Sequence, residues 1–119
     1  MQNPMLSCKG QNMSPPFSYD HVPYPARAYK ETHPDHLAAI AILHGIKAPD
    51  VRNCRVLEIG CGDGSNLIPM AVGLPNSDFT GVELAAQPVE TATQTIASLG
   101  LHNVRVQRLD LRGITPDFG

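Results

Sequence analysis

The sequence predicts an α/β fold built on a parallel sheet. Short runs of branched apolar residues at 55–59, 78–84 and 103–109 alternate with segments of helical periodicity. Gly- and Pro-containing turns separate the runs, and each helical segment is long enough to cross over a sheet. Helix and strand alternating in this way give right-handed βαβ units and a strand order of 3-2-1.

Residues 1–33 hold three of the chain's 29 Val, Ile, Leu and Phe residues together with five prolines, so they build no core. They read as a flexible N-terminal arm, and residues 34–119 as the folded part. The arm carries all three tyrosines, Tyr19, Tyr24 and Tyr29. Its Val22-Pro23-Tyr24-Pro25 stretch is expected to be extended, because proline drives its predecessor out of the α region. Two readings stand, an arm covering the surface of the body and a lid over a ligand.

A helix is expected over 32–45. Pro34 suits its first turn, Leu37, Ile40, Ala41 and His44 share one face to be buried, and Gly45 ends it. His33, His36 and His44 lie close in sequence, but no carboxylate or thiol joins them at ligand spacing, so no metal site is expected. After a turn at 48–50, strand 55–59 is a buried strand that leads into a glycine-rich turn at 60–64. A helix follows over 65–73, with Pro69 near its first turn. Strand 78–84 comes next. The helix at 88–99 has Val89, Ala92, Ile96 and Leu99 inward and Gly100 as its stop. Strand 103–109 alternates as one near a sheet edge does.

The net charge is −2, from 9 basic and 11 acidic residues, without a Lys/Arg cluster. That argues against a nucleic-acid surface held by counterion release. No apolar run approaches the ~20 residues of a membrane span, and no basic stretch followed by an apolar one marks a leader. Cys8, Cys54 and Cys61 form no CxxC pair, which fits a reducing, cytoplasmic setting and no zinc site.

The chemistry concentrates in Val56 to Gly64, VLEIGCGDG. A glycine-rich turn between strand and helix lets a ligand approach the backbone and the free N–H groups of the helix start. Dinucleotide sites use GxGxxG. Here the pattern is GxGxG with Glu58 two residues ahead. A carboxylate repels a diphosphate and favours an ammonium, so the loop suits a ligand with a cationic end. Glu83 closes the second strand, where an acidic side chain can accept hydrogen bonds from ribose hydroxyls; a solvated strand-end carboxylate is the plainer alternative. Asp110 ends the third strand and can accept from an adenine amino group; a helix-capping or solvent-facing Asp is the plainer alternative. Three carboxylates at the carboxyl edge of one sheet, where open α/β sheets bind ligands, call for a ligand rich in donors.

EIGCGDG with Glu83 and Asp110 resembles the first three motifs of class I S-adenosylmethionine-dependent methyltransferases, over residues 55–112. The flanks Tyr24-Pro25, Thr32-His33-Pro34, Leu37-Ala38 and Asn66-Leu67-Ile68-Pro69-Met70-Ala71 are similar to bacterial methyltransferases that carry a methyltransferase regulatory domain. The resemblance implies a Rossmann-like sheet and S-adenosyl-L-methionine as cofactor. Glu58, Gly60, Cys61, Gly62 and Gly64 would line its methionine end, Cys61 as a small loop residue. Glu83 with Leu84 would meet the ribose, and Asp110 with Leu111 the adenine. The family sheet runs 3-2-1-4-5-7-6, and the chain ends near the expected start of strand four. Residues 34–119 are therefore expected to be the N-terminal half of the cofactor domain, C-terminally truncated, without an assignable catalytic residue. The edge of strand 55–59 is then unpaired and a template for self-association. A non-catalytic binding or assembly fragment is the rival reading. An NAD-dependent oxidoreductase is disfavoured by GxGxG and Glu58.

Overall fold

The computed structural model describes residues 25–118. Tyr19, Tyr24, Cys8 and most of the expected arm lie outside the described residues. The elements are α1 (Pro34–Leu43), β1 (Arg55–Ile59), α2 (Leu67–Gly73), β2 (Asp78–Glu83), α3 (Ala86–Leu99) and β3 (Val104–Arg108), with short 3-10 turns at Lys30–Thr32, Val51–Asn53 and Leu111–Gly113. The three strands form one parallel sheet in the order β1-β2-β3, the predicted 3-2-1. Register aligns Val56 with Phe79 and Phe79 with Val104, and aligns Ile59 with Val82.

α2 and α3 pack on the same face, in one cluster with Phe79, as two right-handed crossovers would place them. Under them Phe79 and Leu67 are fully buried and pack with Met70, Ala71 and Val104, flanked by Val56, Ile96 and Leu101. Asn103 ties this layer together. Its Nδ2 donates to the carbonyls of Ala71, Leu74 and Ser77 at 3.0, 3.1 and 3.0 Å, joining the end of α2 to the start of β3. Ser77, fully buried, accepts the Cys54 N–H at 3.0 Å and donates to the Val51 carbonyl at 3.0 Å.

Four expectations are corrected. α1 runs over Pro34–Leu43, and only Pro34 is buried. Leu37 and Ile40, expected inward, are 52% and 43% exposed, because α1 contacts the 3-10 turns beside it and no described element covers that face. β1 is not a buried strand. Its Val56 and Glu58 face the helices, while Leu57 and Ile59 project from the opposite face at the sheet edge and are exposed, although their β2 neighbours Thr80 and Val82 are buried. α3 begins two residues before Pro88, which then falls in the first turn, where its missing N–H costs nothing. Within α3, Ala92 is fully buried as expected, but Leu99 is exposed at the last position. Gly45 and Gly100 close their helices as predicted. Each has positive φ, and Ile46 N–H reaches the Ala41 carbonyl as Leu101 N–H reaches that of Ile96.

Candidate functional site

β1 delivers the chain to residues 60–64 at the carboxyl edge of the sheet. The Gly60 and Cys61 N–H groups both donate to the Val82 carbonyl, at 2.7 and 3.1 Å, hooking the loop over the end of β2. Gly60, Gly62 and Gly64 have φ of 71, 56 and 77°, the left-handed region that side chains resist. Asp63 stiffens the turn by accepting from Ser65 N–H at 3.1 Å and Ser65 Oγ at 2.6 Å.

Glu83 is the organiser of this edge. Its Oε2 accepts the Gly62 N–H at 3.0 Å, and its Oε1 accepts Leu84 N–H and Ala85 N–H at 2.8 and 3.0 Å. Oε2 keeps a free lone pair. One carboxylate thus holds the glycine loop and the turn into α3 in register.

Glu58 lies on the same face, one strand over and toward α2. Its Oε1 accepts from Asn66 Nδ2 at 2.9 Å, while Oε2 is buried with no hydrogen-bond partner. Burial pushes its pKa up, and the Asn66 amide partly offsets this. A buried acceptor without a donor is costly to keep ionised, so the site suits a ligand that brings a donor or a positive charge. Cys61 is buried, and its thiol is pushed up to about 12, first by burial and then by Glu58 and Glu83. It is a packed, neutral thiol at physiological pH, as expected of a small loop residue.

Asp110 lies beyond β3 and caps the 3-10 turn that follows, accepting Arg112 N–H at 2.9 Å. The Arg112 guanidinium also lies on both its oxygens, 2.6 Å at the shortest, and holds its pKa down to about 2. The pair is exposed, so a ligand can displace or share it at little cost.

Gly60, Glu83, Leu84, Asp110 and Leu111 line one cleft of about 180 Å³ with Ile59, Val82 and Leu109. Gly62 joins it through its bond to Glu83. Glu58, on the helix-covered face, is outside its lining. A larger hollow of about 470 Å³ lies around Arg55, Asp78, Arg105 and Phe118, by the opposite ends of the strands, and holds none of the predicted site residues. Sequence reasoning assigned no role to Asn66, or to Arg108, whose Nε donates to the Leu84 carbonyl at 3.0 Å. An Asn directly between a glycine loop and a helix reads as a cap, and only its contacts show otherwise.

Comparison with known proteins bears on this geometry. The family model described as "Putative methyltransferase" matches residues 52–118, which span β1, the glycine loop, Glu83 and Asp110. The chain belongs to this methyltransferase family. The chain is also similar to PKMT2 from Rickettsia typhi, whose structure was solved in complex with AdoHcy. The TM-score is 0.77 at 33% identity, covering 82% of this chain and 19% of that one. This likeness confirms the Rossmann-like parallel sheet. An uncharacterized protein of Rickettsia prowazekii, RP789, is 43% identical over 101 residues, 85% of this chain and 18% of that protein. A tRNA (guanine-N(7)-)-methyltransferase of Marinobacter nauticus is 41% identical over 58 residues, 49% of this chain and 24% of the enzyme. The chain therefore spans about a fifth of the length of PKMT2 and of RP789.

Proposed function

We propose that this chain is the S-adenosyl-L-methionine-binding part of a methyltransferase, of the kind that carries a methyltransferase regulatory domain. The observation that carries the reading is the cleft at the carboxyl edge, where Glu83 and Asp110 flank a glycine loop fixed to Glu83. Glu83, beside Leu84, binds the ribose hydroxyls through the free lone pair of Oε2. Asp110 and the backbone of Leu111 meet the adenine. Gly60, Cys61, Gly62 and Gly64 line the methionine end, with Glu58 supplying negative charge toward its ammonium. The cofactor supplies an electrophilic methyl group on a sulfonium. The chain's part is to fix that methyl in line for an incoming nucleophile. The buried free thiols Cys54 and Cys61 support a reducing, cytoplasmic setting, and no described helix is long and apolar enough to cross a membrane. Isothermal calorimetry tests the reading. S-adenosylhomocysteine is expected to bind and NADH to leave the protein silent; NADH binding in its place would overturn it.

Self-association is part of the proposal. Among the described residues β1 pairs on one side only, and Leu57 and Ile59 beside that edge are 47% and 53% exposed. Antiparallel pairing of two copies of β1 about a two-fold axis would satisfy its free N–H and C=O groups. Light scattering is expected to show an oligomer whose 55–59 amides resist hydrogen exchange. A monomer at high concentration with freely exchanging 55–59 amides would exclude this mode.

A further inference from the structure

We propose that Asn66 is a positioning residue that latches the segment 29–32 to Glu58, so that the carboxylate and this strap order as one unit. The inference rests on the reading of Glu58 as part of the methionine end and adds a regulatory device to it.

Asn66 stands directly before α2, where an Asn ordinarily caps the helix through its side chain. It makes no cap bond here. Its carboxamide turns to other partners, and the residue is 8% exposed. Nδ2 donates to Glu58 Oε1 at 2.9 Å and to Thr32 Oγ1 at 2.9 Å, which uses both its hydrogens. Oδ1 accepts the Tyr29 N–H at 2.7 Å. Thr32 Oγ1 in turn donates to the Tyr29 carbonyl at 2.8 Å. The partners fix the orientation of the amide. Turned over, it would set its NH2 against the Tyr29 N–H and its oxygen against the Glu58 carboxylate.

Beyond these bonds and its contact with the adjoining α1, the strap is exposed. None of Lys30, Glu31 and Thr32 is buried, and Tyr29 is 43% exposed with the Arg27 guanidinium over its ring. Attachment of an exposed segment through a few hydrogen bonds belongs to the low-stability end of a structure. The strap therefore responds to whatever steadies Asn66, and Asn66 is steadied by Glu58. A donor arriving at the unpartnered Oε2 fixes the carboxylate, and through Asn66 it fixes Tyr29 and Thr32. By linkage, a strap already ordered favours that donor equally. The acidic groups that act on the neighbouring Cys61 thiol are Glu58, Glu83 and Asp63, and the side-chain hydrogen bonds of Glu83 and Asp63 go to Gly62, Leu84, Ala85 and Ser65 rather than to the strap.

Hydrogen exchange at the Tyr29 amide in the full chain tests the latch. Glu58→Ala does not touch the strap, yet it is expected to speed Tyr29 exchange about fivefold or more, the size of coupling found between groups sharing one network. Glu58→Gln, which keeps an acceptor for Asn66, is expected to restore protection. In an Asn66→Ala background Glu58→Ala is expected to have no further effect. The β2 amides, read in the same spectra, are expected to stay constant, which separates the latch from general loosening. Acceleration that persists in the Asn66→Ala background, or none at all, would overturn the proposal. Adding S-adenosylhomocysteine is expected to slow Tyr29 exchange in the wild type and not in Asn66→Ala. Binding without slowing would also overturn it. Should that probe not bind, the ligand-free cycle alone decides the latch, and the cofactor reading is what falls.

Discussion

Glu83→Ala is expected to weaken S-adenosylhomocysteine binding about tenfold or more, since a hydrogen bond to a charged acceptor contributes about 1.5–3 kcal/mol. The substitution does more than delete a ligand contact. It strands the N–H groups of Gly62, Leu84 and Ala85, all of which Glu83 accepts. The loop is therefore expected to loosen, and the urea midpoint to fall with the affinity. Glu83→Gln separates the two effects. A Gln carbonyl in the place of Oε1 still accepts from Leu84 and Ala85, so most of the stability should return. Its NH2 in the place of Oε2 opposes the Gly62 N–H and cannot accept from a ribose hydroxyl, so the affinity should not. Calorimetry showing wild-type affinity in both variants would remove Glu83 from the site.

Much of this edge was legible in the sequence because its signals are local. The run of branched apolar residues at 55–59 and the glycines at 60, 62 and 64 fix a strand and a turn from neighbouring residues alone. The strand order followed from the handedness of two crossovers, and Glu83 and Asp110 were found because each closes a strand. What failed depends on partners distant in the chain. The helical spacing of Leu37, Ile40 and Ala41 records a face that suits burial, but nothing in that spacing says what covers it, and Leu37 and Ile40 stay exposed. Leu57 and Ile59 are likewise apolar and exposed, at the edge of the sheet. Asp110 was read as an acceptor for adenine without the guanidinium two residues on. The extended Asp110 and the 3-10 turn after it fold Arg112 back onto the carboxylate. Asn66 was invisible as a connector because its partners Tyr29 and Thr32 lie 37 and 34 residues upstream.

Gly81 is a further position whose role only the packing reveals, and it supports the second large expected effect. It sits in the middle of β2, in register with Glu58 and Val106, on the face beneath α2. A Cβ there would lie 2.5 Å from Cys61 Sγ, 3.1 Å from Cys61 Cβ and 3.0 Å from Leu67 Cδ2. All three distances are well inside the ~3.5–4.0 Å of favourable carbon contacts. Either the glycine loop or the start of α2 must retreat, because β2 is held between two strands. Gly81→Ala is thus expected to destabilise the protein by about 1–3 kcal/mol, the range for overfilling a packed core. It should also weaken S-adenosylhomocysteine binding, since the displaced loop carries the Gly62 N–H that meets Glu83. Cys61→Ala removes the sulfur that makes the tightest contact, so the double variant should be more stable than the two single losses predict, by about 0.5 kcal/mol or more. Urea midpoints of the four proteins measure this. Strict additivity would mean that the loop does not rest on β2 through Cys61, and wild-type stability in Gly81→Ala would mean that the space above Gly81 is open.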